Sequence, residues 1–247
     1  MSFTERFSGR ANDYAAARPS YPDASLDVLF DGLGDPGEVT VADLGAGTGI
    51  SSRQLAARAA LVYAIEPNES MREAAEPHPR VEWVAASAEH TGLGEASVDL
   101  AAAFQAFHWF DQRQALDEMV RILRPGGRAA LVYNERDESD PFTGAYGDIV
   151  RKYATDDTER RRADGIEVFL AFEAWVAKRR IEVRNEYGLD IEGVLARARS
   201  TSYLPKAGPV AEDLHREIRA LVERFARDGQ VVMTMRTIVA YGDAGAG

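Results

Sequence analysis

An α/β fold built on a doubly wound, mostly parallel sheet is what this chain predicts, on three observations. Short apolar runs alternate with helical patterns from Val39 to Asn134, as they do where helices cover both faces of a parallel sheet. The first of those runs leads straight into a turn with glycines at alternate positions, Asp43-Leu44-Gly45-Ala46-Gly47-Thr48-Gly49. And 247 residues with 45% hydrophobic content suffice for one large domain carrying an insertion or lid.

Taken in order, Met1 to Gly37 holds Tyr14, Arg18-Pro19 and Tyr21-Pro22, followed by a helix expected from Ala24 to Leu33. Strands are expected at Val39–Leu44, Leu61–Ile65, Val81–Ala85, Val98–Phe104 and Arg128–Tyr133. Thr48 is positioned to cap a helix whose apolar face includes Ile50, Leu55 and Ala59. Asp111 should cap the last crossing helix, which presents Ala115, Met119, Ile122 and Leu123 on one face and stops at Pro125-Gly126-Gly127. From Pro141 to about Ala177 the pattern is helical without a strand, long for a connection, and an inserted lid is the economical reading. An extended segment Ile181–Tyr187, helices Ile191–Arg199 and Val210–Arg227, an Asp228-Gly229 turn and a β-rich run Val231–Tyr241 follow.

Gly45, Gly47 and Gly49 lack the Cβ that would obstruct both a tight turn and a ligand lying on the main chain. The dinucleotide fingerprint places its third glycine one residue later, so a pyrophosphate grip is not reproduced. The second strand ends in Glu66, 21 residues beyond Gly45, where a carboxylate can accept hydrogen bonds from two vicinal ribose hydroxyls. NAD enzymes share that spacing, so the acid supports a nucleoside without naming which. The fourth strand delivers Gln105-Ala106-Phe107-His108-Trp109-Phe110-Asp111 to its carboxyl end, where ligands sit in open α/β sheets.

The glycine spacing, Glu66-Pro67-Asn68 with Met71, the Ala86-Ser87-Ala88-Glu89 segment and the Leu123-Arg124-Pro125-Gly126-Gly127 stretch together resemble the class I S-adenosylmethionine-dependent methyltransferases over about Tyr14 to Asn134. The Tyr14, Arg18-Pro19, Tyr21-Pro22 opening and the Gln105–Asp111 block resemble more narrowly the small-molecule enzymes that include trans-aconitate methyltransferase-like proteins. The resemblance implies a Rossmann-like, seven-stranded, mostly parallel sheet whose last strand is antiparallel, with a helical insertion. Residues 1–37 would then form an N-terminal cover and first helix, 38–138 the cofactor-binding core, 139–180 the lid, and 181–247 the completion of the sheet.

The implied cofactor is S-adenosylmethionine. Asp43, Gly45, Ala46, Gly47 and Gly49 would pass beneath its methionine half, Glu66 and Pro67 would meet the ribose, and Met71, Ala88 and Glu89 the adenine. Tyr14, Arg18 and Gln105 complete the expected cofactor set, with Arg18 able to fork onto a carboxylate. Tyr21, His108, Trp109 and Tyr203 are expected at the acceptor, a small-molecule metabolite methylated at oxygen. His108 is the candidate catalytic base, its ordinary pKa lying near 6.5. Alternatives are an NAD(P)-dependent oxidoreductase and a non-catalytic S-adenosylmethionine-binding protein.

A formal charge of -11 argues against a chain that grips phosphate backbones, so nucleic acid is not an expected partner. The basic runs Arg160-Arg161-Arg162 and Lys178-Arg179-Arg180 lie among acids and read as solvated helix faces. Without cysteine there is no disulfide or thiolate chemistry, no clustered acidic metal ligands stand out, and no metal is expected. No apolar run approaches the roughly 18 residues of a membrane span. A cytoplasmic protein is therefore expected, with oligomeric state left open by the absence of any coiled-coil seam.

Overall fold

The computed structural model describes residues 20–245, and the expected cofactor contacts Tyr14 and Arg18 lie outside them. Helix α1 (Asp23–Phe30) precedes strand β1 (Thr40–Leu44), helix α2 (Ile50–Ala56), strand β2 (Leu61–Ile65), helix α3 (Glu69–Glu73), strand β3 (Val81–Val84) and strand β4 (Val98–Phe104). Helix α4 (Gln112–Ile122) and strand β5 (Leu123–Arg136) follow, then helices α5 (Pro141–Tyr153) and α6 (Thr158–Ala171). Strand β6 (Trp175–Leu189), helices α7 (Ile191–Ser200) and α8 (Pro209–Phe225), and strand β7 (Val231–Ala244) close the chain.

Among the described residues the strands form one sheet in the order β3-β2-β1-β4-β5-β7-β6. Pairings from β3 through β5 are parallel, whereas β7 lies antiparallel to both β5 and β6. The expected doubly wound sheet with an antiparallel last strand is the observed one. Strand order reverses between β1 and β4, and their carboxyl ends open the crevice where such sheets take ligands.

Period-two alternation sends consecutive β4 residues to opposite cores. Leu100, Ala102 and Phe104 meet Leu26, Leu29 and Phe30 of α1 and Leu55 of α2. Ala101 and Ala103 face Leu116 and Met119 of α4 and Phe169 of α6. A third apolar cluster joins Tyr146 of α5, Leu195 of α7, Ile218 of α8 and Met233 and Met235 of β7, so the late helices are packed on the sheet extension.

Four expectations need correction. Helix α2 starts from Gly49 at φ 76°, with no side-chain cap, and Thr48 Oγ1 is buried without a partner, so Thr48 does not cap it. The helix ends at Ala56, leaving Ala59 beyond its last turn. Helical structure after Pro141 ends at Ala171 rather than Ala177, because Trp175 pairs with Ala244 and begins a strand of 15 residues. Consequently Lys178-Arg179-Arg180 lies on an edge strand instead of a helix, and Arg180–Glu182 and Arg184–Glu186 ion pairs line that strand. Charges along an unpaired edge oppose association with another sheet. By contrast Asp111 caps α4 as expected, its carboxylate accepting from Gln114 N at 3.1 Å.

Arg128 joins the two halves of this arrangement. Its guanidinium donates to Asp243 Oδ1 at 2.8 Å and to the carbonyls of Val28 and Asp31 at 3.0 and 2.7 Å, and lies 4.3 Å from the Tyr241 ring centroid. Removing a buried cation that satisfies several acceptors leaves them without water or a partner. Arg128→Met should therefore lower unfolding free energy by about 2–4 kcal/mol in urea titrations, with little change in slope.

Candidate functional site

Two adjoining cavities open at the carboxyl ends of β1 and β4. Gly45, Gly47, Phe104 and Gln105 line both. Their separation depends on glycine geometry: Gly45 sits at φ 71° so close to the next segment that a Cβ would stand 2.7 Å from Ala106 Cβ. Gly47, at φ 58°, faces open space instead, which leaves bare main chain as the wall between the cavities.

Glu66, Pro67, Asn68, Met71, Ser87, Ala88, Glu89, Ala106, Trp109 and Phe110 complete the lining of one cavity. Glu66 is held there by main chain, accepting from Gly47 N at 2.9 Å and from Asn68 N at 2.8 Å. A carboxylate offers about four lone-pair sites, so two acceptor positions remain for a ligand. Burial raises the pKa of Glu66, against the lowering effect of those two amides. Met71 is buried against the cavity and stands behind Asn68, whose side chain caps α3 through Met71 N at 3.3 Å. Glu89 accepts from Asp111 N at 2.9 Å, tying the segment after β3 to the start of α4.

Gln105 occupies the junction in a left-handed conformation, φ 55°. A non-glycine residue held there stores strain that its surroundings must offset, and such residues concentrate at functional sites. Its Nε2 donates to Asn134 O at 3.1 Å, while its Oε1 is buried without a partner. An orphaned acceptor at this junction suits a ligand donor such as an ammonium group.

The second cavity is walled by Tyr21 and the glycine loop on one side and by Asn134, Glu135, Arg136, Tyr146, Arg162, Arg197 and Tyr203 on the other. Tyr21 packs edge-on to Phe104 at 4.8 Å, and its backbone exchanges two hydrogen bonds with the Gln54 side chain. Tyr203 donates to Glu159 at 2.8 Å.

Of the residues expected from sequence, Glu66, Pro67, Met71, Ala88, Glu89 and Trp109 thus meet in one cavity, Ala46, Tyr21 and Tyr203 in the other, and Gly45, Gly47 and Gln105 between them. Gly49 lies outside both linings and packs against Trp83, where a Cβ would approach the indole to 2.9 Å. His108 is buried, its ring 4.7 Å from Trp109 and its Nδ1 3.4 Å from the Tyr133 hydroxyl, and it lines neither cavity. A general base must come within hydrogen-bond reach of the proton it takes, so His108 stands one residue behind the wall that Trp109 forms.

Residues 42–131 match a family model described as a methyltransferase domain. The first cavity and the glycine loop fall within that span. Over those residues the chain is thus similar to a methyltransferase domain. An uncharacterized methyltransferase of Mycobacterium tuberculosis is 36% identical over 145 residues, 58% of this chain and 58% of the relative. One from Schizosaccharomyces pombe is 34% identical over 142 residues, 57% of each chain. The chain thus spans less than two thirds of these curated relatives. A solved structure from Anaeromyxobacter dehalogenans, named as a candidate type II methyltransferase, superposes with a TM-score of 0.69 at 27% identity, covering 93% of this chain and 99% of that one.

Several residues of the second cavity escaped sequence reasoning. Asn134, Glu135 and Arg136 were hidden because the fifth strand was expected to end at Tyr133, whereas β5 continues to Arg136. A polar triplet directly after an apolar strand was the available signal. Arg162 is a correction: in the basic run read as a solvated face, its side chain is only 12% exposed and lies 3.3 Å from Glu135, while Arg160 remains 76% exposed.

Asp43 lines neither cavity. It is fully buried beneath the loop of the methyltransferase domain, with Oδ2 accepting from Ser51 and Ser52 at 2.7 and 2.6 Å and Oδ1 unpartnered. Burial pushes its pKa up from 3.8 to about 6, against the two serine hydrogen bonds, with the charge of Glu66 adding to the rise. Because the folded value exceeds the unfolded one, its contribution to stability is fullest below about pH 4 and is lost as pH rises through about 6. Asp43→Asn should therefore gain stability relative to wild type on going from pH 4 to pH 7.5, by about 3 kcal/mol at 1.36 kcal/mol per pKa unit. Paired urea titrations at the two pH values measure that increment, and a constant difference would refute the buried charge.

Proposed function

We propose that this protein transfers the methyl group of S-adenosylmethionine to an oxygen of a small-molecule metabolite by direct in-line displacement. The observation that carries this reading is the meeting of the two cavities at Gly45, Gly47, Phe104 and Gln105. A nucleoside seated against Glu66 and Met71 would direct its sulfur end to that junction, with an acceptor entering from the side of Tyr21 and Tyr203.

The fit of the cofactor rests on this chain's own groups. Glu66 keeps two lone-pair positions for ribose hydroxyls after serving Gly47 and Asn68. Gly47 leaves space where any side chain would project, and the unpartnered Oε1 of Gln105 is available to an amino group. When bound, the cofactor supplies an already electrophilic sulfonium methyl. What remains for the protein is to align a nucleophile at about 3–3.5 Å, a contribution on the order of 7–11 kcal/mol. A base adds roughly 3–5 kcal/mol, which an ionised acceptor does not require.

Phe104, Phe110 and Trp109 surround the junction with apolar surface, which keeps water from competing with the acceptor. His108 supports that wall through its contact with Trp109.

Calorimetric titration with S-adenosylhomocysteine should give one-to-one binding, weakened about ten- to a hundredfold by Glu66→Ala, as for the loss of hydrogen bonds to a charged group worth about 1.5–3 kcal/mol. Incubation with methyl-labelled cofactor and a metabolite extract should place the label on a small molecule, and the methyl carbon resonance should be that of an oxygen-bound methyl. Wild-type protein that binds the homocysteine product yet labels nothing would instead make it a binding protein.

A further inference from the structure

We infer that the second cavity receives an acceptor carrying a negative charge, recognised by Arg136, Arg162, Arg197 and the Tyr146 hydroxyl. This deepens the methyltransferase reading and rests on it. Three guanidinium groups and one carboxylate, that of Glu135, are the charged side chains lining the cavity. The excess of positive charge stands out in a chain whose formal charge is -11.

Two of the three arginines are ion-paired, each with its Nε left without a hydrogen bond, and Arg197 has no carboxylate partner among the described residues. Arg136 pairs with Glu159 through Nη2, but its Nε is buried without a partner, and the side chain is 11% exposed. Arg162 Nε stands 3.3 Å from Glu135 Oε1, yet the two atoms do not form a hydrogen bond and both are left without one. Arg197 has no carboxylate within ion-pair distance among the described residues. Its nearest partners are Met235 Sδ at 3.7 Å and the Tyr187 ring at 5.7 Å. Neither neutralises a guanidinium.

Tyr146 supplies the independent observation. It is 1% exposed and lines the cavity, and its hydroxyl has no hydrogen-bond partner. Burial pushes its pKa up to about 12 even though Arg197 and Arg136 pull it down, so the phenol stays protonated and can donate. Unsatisfied buried groups are rare because each costs free energy. Here they include Arg136 Nε, Arg162 Nε and Tyr146 Oη, donors on the wall that faces the glycine loop. All three side chains line the cavity, and a carboxylate or phosphate oxygen matches the fork of a guanidinium.

The same groups could instead hold the carboxylate of the cofactor's own methionine, and the experiment separates the two. Protein saturated with S-adenosylhomocysteine is titrated with acetate, citrate and inorganic phosphate at constant ionic strength, with acetamide as the neutral control, while thermal stability is followed. At least one anion should stabilise saturably where acetamide does not, and Arg197→Gln and Tyr146→Phe should weaken that effect by about tenfold. Affinity for S-adenosylhomocysteine should stay within about threefold of wild type in both variants. Anion effects identical in wild type and both variants overturn the proposal, and a tenfold loss of S-adenosylhomocysteine affinity assigns the arginines to the cofactor and overturns it too. In parallel, methyl-labelled cofactor is offered with metabolites split on an anion exchanger. Label in the retained fraction supports the proposal, and label only in the unretained fraction refutes it. Failure of wild type to bind S-adenosylhomocysteine would sink the methyltransferase reading, while the anion titration of unliganded protein would still read the charged site.

Discussion

The carboxylate of Glu66, accepting from the amides of Gly47 and Asn68, is the constraint on which the site depends. It binds the end of β2 to the loop that leaves β1, two segments that the sheet alone holds together only as far as Ile65. Both Gly45 N and Ala46 N donate to Ile65 O, at 2.9 and 3.0 Å, so main chain and side chain act at the same corner. A loop of alternating glycines pays a large conformational entropy on ordering. Fixing it from the neighbouring strand preorganises a wall that needs no side chains of its own.

Asp43 anchors that wall from beneath. The same loop rests on a buried carboxylate whose Oδ2 takes hydroxyls from Ser51 and Ser52 in the first turn of α2. One end of the loop is thus tied to the helix it opens and the other to the strand beside it. The two acids repel, which contributes to the raised pKa of Asp43, and only Glu66 reaches the cavity. Buried charge is costly at both positions. At Glu66, which lines the cavity, two amides offset part of that cost.

Features that depend on local chemistry were legible in the sequence. The glycine loop, the acid ending β2 and the Asp111 cap are each set by neighbours within a few residues, and strand bounds at Leu61–Ile65 and Val98–Phe104 follow from apolar runs between breakers. Features that depend on tertiary partners were not. Thr48 has the chemistry of a cap, but Gly49 in the left-handed region turns the chain so that the helix begins without it. Arg162 has the surroundings of a solvated residue in sequence, and only the continuation of β5 to Arg136 brings Glu135 beside it. His108 carries the chemistry of a base, and the short helical turn Phe107–Trp109 directs Trp109 to the cavity while the histidine packs behind.

A division of labour between two parts of the chain follows from where these residues fall. The family match ends at residue 131, and Glu66, Met71, Ala88, Glu89 and Gln105 all precede that point. Arg136, Tyr146, Arg162, Arg197 and Tyr203 all follow it, on β5, α5, α6, α7 and the segment after α7. The helices that carry them are fixed by the third apolar cluster and by α6 on the opposite core, not by the glycine loop. Side chains there can change without disturbing the corner that Glu66 holds. A glycine-loop platform inside the family match, joined to a charged wall beyond it, is what such independent packing permits.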